Sequence, residues 1–153
     1  MITRFRHVGI AVTDIQKSLK FYRDLLGFSV VVDEIEDGKY LSRLIGLRNS
    51  RGHVVKIAAP DGTVIELFQF LSHPLEKPPV HAFNLMGCNH IAYMVDDIDE
   101  LYDRLSKKGV SFISEPLQST YDPVKTMFCY DPDKTLIQFV EILDKTSIRK
   151  GLE

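Results

Sequence analysis

The chain carries the same unit twice, and this repeat narrows what it can fold into more than any other feature. "HVGIAVTDIQKSLKFY" from His7 and "HIAYMVDDIDELYDRL" from His90 share an opening histidine, an alternating apolar segment and an Asp-Ile pair seven residues later. The offset of 83 that relates His7 to His90 also carries Asp14 to Asp97 and Ile15 to Ile98. It falls to 82 at Gly27 and Gly109, where "LGFSV" meets "KGVSF", and to 72 at the far end, where "PDGTVIEL" from Pro60 meets "PDKTLIQF" from Pro132. Self-similarity over such a length marks one supersecondary unit used twice.

Both copies read alike. The opening segment alternates with the period of a strand, and Thr13 with Gln16 has the spacing of a capping box at a helix start. Ile15, Leu19, Tyr22 and Leu26 then form one helical stripe that ends at Gly27, a residue suited to a left-handed cap. Three strands complete the copy, around "FSVVVDEI", "HVVKIAAP" and "TVIELFQF"; the second copy places them near "VSFIS", "KTMFCYD" and "TLIQFVEIL". The predicted fold class is therefore α+β, with two βαβββ repeats at about 5–71 and 88–143 in a single domain spanning 1–153. The linker, about 72–87, holds three prolines in "LSHPLEKPPVHAFNLMG" and suits irregular backbone. "YLSRLIGLRNSRG" has no counterpart in the second copy, and Leu41, Leu44, Ile45 and Leu47 are spaced for a short amphipathic helix.

Composition removes several function classes. A chain of 153 residues with 44% hydrophobic content buries a core without disulfides. A formal charge of -2 gives no bulk attraction to nucleic acid or anionic membrane, and no apolar run has bilayer-spanning length. "MITRFRHVGIAV" enters an alternating pattern without a signal-peptide layout, so a cytoplasmic location is expected. Cys88 and Cys129 sit among apolar neighbours and are expected as buried thiols. His53, His73 and His81 read as structural or surface histidines. Arg43, Arg48, Arg51 and Lys56 read as a solvated charged face, with attraction of an anionic substrate as the alternative, and Lys125 and Tyr121, assigned to a loop, are read in the same way.

The paired units, the strand-opening histidines of "HVGIAV" and "HIAYMV" and the "PDG..IEL" ending resemble the vicinal oxygen chelate superfamily over roughly Phe5 to Leu143. That superfamily includes glyoxalase I, methylmalonyl-CoA epimerase, extradiol dioxygenases and the fosfomycin and bleomycin resistance proteins. The resemblance implies that each unit curls into a half-barrel around a metal-binding cavity, that homodimers are usual, and that one divalent ion is held by the first and last strands of each unit. Position by position, the implied ligands are His7, Glu66, His90 and Gln138.

These residue types suit that task. Two imidazoles and a carboxylate are good donors to a borderline divalent ion, and an amide oxygen can complete the set. The face of His7 also carries the small residues Gly9 and Ala11, while Val8, Ile10 and Val12 face the other way. Glu66 shares its face with Val64, Phe68 and Phe70, where an ionised carboxylate calls for an accompanying cation. Each last strand holds a second polar residue three positions on, Gln69 or Glu141. An odd separation sends the two side chains to opposite faces, so Gln138 is expected toward the cavity and Glu141 outward or at a solvated strand end, unless a β-bulge intervenes.

Three functions fit the resemblance. The first is a lyase or isomerase of the glyoxalase I or epimerase type. In it a nickel, cobalt, zinc or manganese ion chelates a small molecule with vicinal oxygens, and Glu66, the one ligand carboxylate, is the catalytic base moving a proton next to the carbonyl. The resembled enzymes commonly supply the base from the last strand of the second unit, where an amide stands here, and this favours a single-base shuttle. The second is an iron(II) dioxygenase with two histidines and one carboxylate. The third is a metal-free small-molecule binding or resistance protein.

Overall fold

The computed structural model describes residues 1–76, 87–144 and 146. The chain divides into two compact units, Met1–Pro78 and Pro79–Glu153, and the division falls within the proline-bearing linker. Most of that linker, with His81, lies outside the described residues.

In the first unit, β1 (Val8–Ala11) leads into helix α1 (Ile15–Leu19), which continues as a π-helical segment, Lys20–Leu25. Asp14 is the N-cap, accepting from the backbone N–H of Gln16 and Lys17, so the helix starts one residue later than a Thr13 cap would put it. The aspartate carboxylate satisfies two of the orphan donors that the box at Thr13 was expected to serve. Ile15, Leu19 and Tyr22 of the expected stripe are buried, and Gly27 takes φ +83° after the helix. β2 (Ser29–Asp37), α2 (Gly38–Ile45), β3 (Arg51–Ala58) and β4 (Val64–Phe70) follow, and the sheet order is β1-β4-β3-β2.

Alternation divides this sheet into two faces. Ile10, Val12, Val55, Ile57, Ile65 and Leu67 are buried together with Ile15, Leu19 and Tyr22 of the helix. Gly9 and Ala11, on the other parity of β1, are exposed, and a Cβ at Gly9 would meet nothing within 4 Å. At Gly52, by contrast, a Cβ would lie 2.3 Å from Cζ of Phe68, so only glycine lets the ring rest on β3. The unmatched segment does form the amphipathic helix α2, which packs on β2 and β3 and buries Leu41. Leu44, Ile45 and Leu47 remain exposed.

The second unit holds β5 (His90–Met94), α3 (Ile98–Lys107), β6 (Leu117–Gln118), β7 (Val124–Tyr130) and β8 (Leu136–Ile142), in the order β5-β8-β7-β6. Asp97 caps α3 by accepting from Glu100 N–H, and Gly109 takes φ +80°. The two halves are thus βαβββ units. "VSFIS" forms no strand; Phe112 makes an isolated bridge to Cys129, and the edge strand is the two-residue β6 further along. An edge position receives pairing from one side only, so its pattern alone does not hold it in the sheet. Ile98, Leu101 and Leu105 of α3 are buried, as are Met127, Cys129, Ile137 and Phe139 of the sheet. No helix among the described residues is long and apolar enough to cross a membrane.

Candidate metal centre

Register fixes what stands beside Glu66. β1 runs parallel to β4 with Gly9 beside Glu66, and the β3–β4 hairpin, centred on Asp61, places Lys56 directly across from it. Opposed residues in a ladder project to the same face. On that face His7 Nε2 lies 3.8 Å from Glu66 Oε1, and Lys56 Nζ lies 3.3 Å from Glu66 Oε2. Glu66 and Lys56 are each only 22% exposed. Lys56 is therefore no part of a solvated charged face, unlike the exposed Arg43, Arg48 and Arg51. Alternation within one strand does not reveal this pairing, but counting outward from the "PDGT" turn does.

In the second unit β5 runs parallel to β8 with Ala92 beside Gln138, and β7 places Phe128 across from Gln138. His90 is two residues before Ala92, on the same parity. Its Nδ1 is 2.5 Å from Asn89 Oδ1, and its ring meets Phe128 edge-on at 5.5 Å between centroids. With Nδ1 against an amide oxygen, which only accepts, the imidazole carries its proton there, the tautomer that suits a histidine ligating through Nε2. Gln138 lines a cavity of about 310 Å³ with Ala92, Met94, Val124, Thr126 and Val140. The role of Asn89 has no sequence signal beyond adjacency to His90.

Glu141 and Gln69 leave their strands on the opposite face, as the odd spacing requires, but neither ends in solvent. Gln69 Oε1 accepts from Ile15 N–H at 3.0 Å and Glu141 Oε2 accepts from Ile98 N–H at 3.0 Å. Each thus satisfies the first helical donor of its own unit. The expectation that Glu141 points outward fails because the helix start needs an acceptor there. Lys125 is on β7 rather than a loop and pairs with Asp99 at 2.5 Å, whereas Tyr121 is exposed.

His53 and Cys129 lie on the opposite faces of their sheets, across from Gln69 and Ile137. His53 Nε2 meets Asp33 Oδ1 at 2.6 Å, and His73 Nδ1 meets Ser72 Oγ at 2.7 Å. Cys129 is buried, and burial beside Asp131 pushes its thiol up to about 12. Cys88, expected to be buried, is exposed, because it lies outside β5 in the irregular approach to it.

The structure brings together His7 and Glu66, with Lys56 as an unforeseen third member, and puts His90 and Gln138 on the corresponding positions of the second sheet. Among the described residues, no group of three or more His, Cys, Asp or Glu side chains is assembled to hold a metal ion. The donor types nevertheless fit a borderline divalent ion: a carboxylate already facing one imidazole nitrogen, and a second imidazole with its tautomer set.

A pair of βαβββ sheets, each with a strand-opening histidine and a last-strand oxygen donor on matching positions, defines the vicinal oxygen chelate class. The Glyoxalase/Bleomycin resistance protein/Dioxygenase superfamily profile matches residues 4–139, and the chain belongs to that superfamily. Ethylmalonyl-CoA/methylmalonyl-CoA epimerase of Cereibacter sphaeroides is 34% identical over 114 residues, covering 71% of this chain and 73% of that protein. Lactoylglutathione lyase of Neisseria meningitidis serogroup A is 26% identical over 139 residues, covering 90% of each. A glyoxalase family protein from Bacillus cereus has a solved structure that matches with a TM-score of 0.86 at 25% identity, over 94% of this chain and 97% of that one.

Proposed function

We propose that this protein is a divalent-metal-dependent lyase or isomerase that moves a proton next to the carbonyl of a substrate bearing vicinal oxygens. The observation that carries this reading is Glu66, a half-buried carboxylate among Val64, Phe68 and Phe70 with an imidazole nitrogen 3.8 Å away. Further support comes from relatives that are a lyase and an epimerase. His7 and Glu66 from one first unit and His90 and Gln138 from one second unit would hold the ion. When bound, a nickel, cobalt, zinc or manganese ion supplies Lewis acidity to the substrate carbonyl.

The chain's own residues do the rest. Glu66 removes the proton from the carbon beside the carbonyl. Gln138 offers no second base, so Glu66 holds that proton and returns it. His90 is kept oriented by Asn89.

Two measurements test this reading. Metal content is determined after purification without chelators, and solvent-deuterium exchange at the carbon of an α-hydroxycarbonyl substrate is followed by NMR in the wild type and in metal-loaded Glu66→Gln. One equivalent of a non-iron divalent ion is expected, with exchange slower in the variant by roughly 10²–10⁴-fold. Equal exchange would reduce Glu66 to a ligand. Iron with an oxygen-dependent product would make the protein a dioxygenase, and absence of bound metal would make it a binding protein.

A further inference from the structure

The mechanism leaves one charged group on the working face unused. Lys56 is directly across from Glu66, its Nζ 3.3 Å from Oε2, and it is as shielded as the carboxylate it faces. The second unit has no such cation, since the position across from Gln138 is Phe128. The lysine accompanies the carboxylate, yet an ammonium is a poor neighbour for a carboxylate that must bind a divalent ion. Once Glu66 gives its charge to a metal, Lys56 is left on a shielded face beside like charge, while the open space over Gly9 lies on the far side of Glu66. An anion supplied by the ligand relieves both problems.

From this geometry, and resting on the metal-dependent reading above, we infer that Lys56 binds an anionic group of the substrate. The substrate class is then narrower than any vicinal-oxygen compound. It is a hydroxycarbonyl or dicarbonyl compound that carries a carboxylate, or an equivalent anion, next to the two chelating oxygens. The ammonium donates charge-assisted hydrogen bonds to that group, which orients the carbon acid toward Glu66 on the neighbouring strand. Lys56 is a binding and specificity residue in this scheme and takes no proton from the reacting carbon.

Tartronate and glycolate make a suitable pair of probes. Both present a hydroxyl and a carboxylate for chelation, and tartronate adds one further carboxylate. Their affinities are measured on the cobalt-loaded protein through its visible spectrum, for the wild type, Lys56→Met and Lys56→Arg, with cobalt stoichiometry determined for each. Methionine keeps the apolar stem without the charge, and arginine restores the charge. The ratio of tartronate to glycolate affinity is expected to fall about tenfold or more in Lys56→Met, the loss of a hydrogen-bonded charged group, and to recover largely in Lys56→Arg. Equal ratios in wild type and Lys56→Met, with cobalt bound in both, would overturn the role of Lys56 and leave the metal reading intact. Failure of the wild type to bind cobalt would remove the metal reading, and this inference with it.

Discussion

Across from Lys56 on the first sheet stands Glu66; at the same positions of the second sheet stand Phe128 and Gln138. The backbone register is identical, so the difference lies entirely in the side chains. The first unit has a carboxylate flanked by an ammonium and an imidazole, while the second has an amide lining an apolar cavity. On the opposite faces the units agree: Gln69 and Glu141 both accept the N–H of the first residue of their helix, each at 3.0 Å. The two copies agree on the face that carries the helix and differ on the other, with a charged cluster in one unit and an amide in an apolar cavity in the other.

The strongest way to break this comparison is to move the carboxylate. In a chain carrying both Glu66→Gln and Gln138→Glu, the count of donors is unchanged, and cobalt binding, read by its visible spectrum, is expected to persist. Turnover should still fall by about 10²–10⁴-fold, because the base no longer stands across from Lys56. Turnover within tenfold of the wild type would show that the two units are interchangeable and that Glu66 has no special place.

A smaller effect sharpens the shared face. Gln69→Ala and Glu141→Ala are each expected to lower stability in urea by about 1 kcal/mol, the usual cost of an unmet donor at a helix start. Gln69→Glu and Glu141→Gln keep an oxygen acceptor and should stay within about 0.5 kcal/mol of the wild type. Metal content should be unaltered in all four. Metal lost on changing Glu141, with Gln138 intact, would mean that β8 presents the wrong residue to the working face.

Much of this was legible in the chain itself. The histidine-led repeats and the "PDGTVIEL" and "PDKTLIQF" endings specify two βαβββ units, because their alternation and turn chemistry point to the same answer. Opposite placement of Gln138 and Glu141 follows from parity alone. What a single strand cannot show is its neighbour. Lys56 read as solvated because its partner is set by hairpin register, and Glu141 read as outward because the helix that needs it packs from elsewhere in the chain. The edge strand after α3 was misplaced for a related reason: with pairing on one side only, β6 is held by two residues, and "VSFIS" keeps its β-propensity without a ladder.

The smallest expected effect concerns the turn that sets those registers. Gly62 and its repeat counterpart Lys134 each donate their N–H to the residue three positions back, Ala59 or Asp131, and both adopt left-handed backbone, with φ +86° and +72°. Glycine takes that conformation freely, whereas an L side chain loses roughly 1 kcal/mol. Lys134 recovers part of this by holding its ammonium 5.5 Å from the Tyr130 ring centroid, a contact of about 0.5–1 kcal/mol at an exposed site. Lys134→Gly removes the strain and the contact together and adds freedom to the unfolded chain, so its net effect should be within about 0.5 kcal/mol of zero. Gly62→Ala meets open space, since its Cβ would have nothing within 4 Å, and bears the backbone term alone. It should therefore destabilise by about 1 kcal/mol. Thermal unfolding of the two variants separates the cases: a gain above 1 kcal/mol in Lys134→Gly would show that the cation–ring contact contributes nothing, and no loss in Gly62→Ala would show that the left-handed turn is not required for the β3–β4 register.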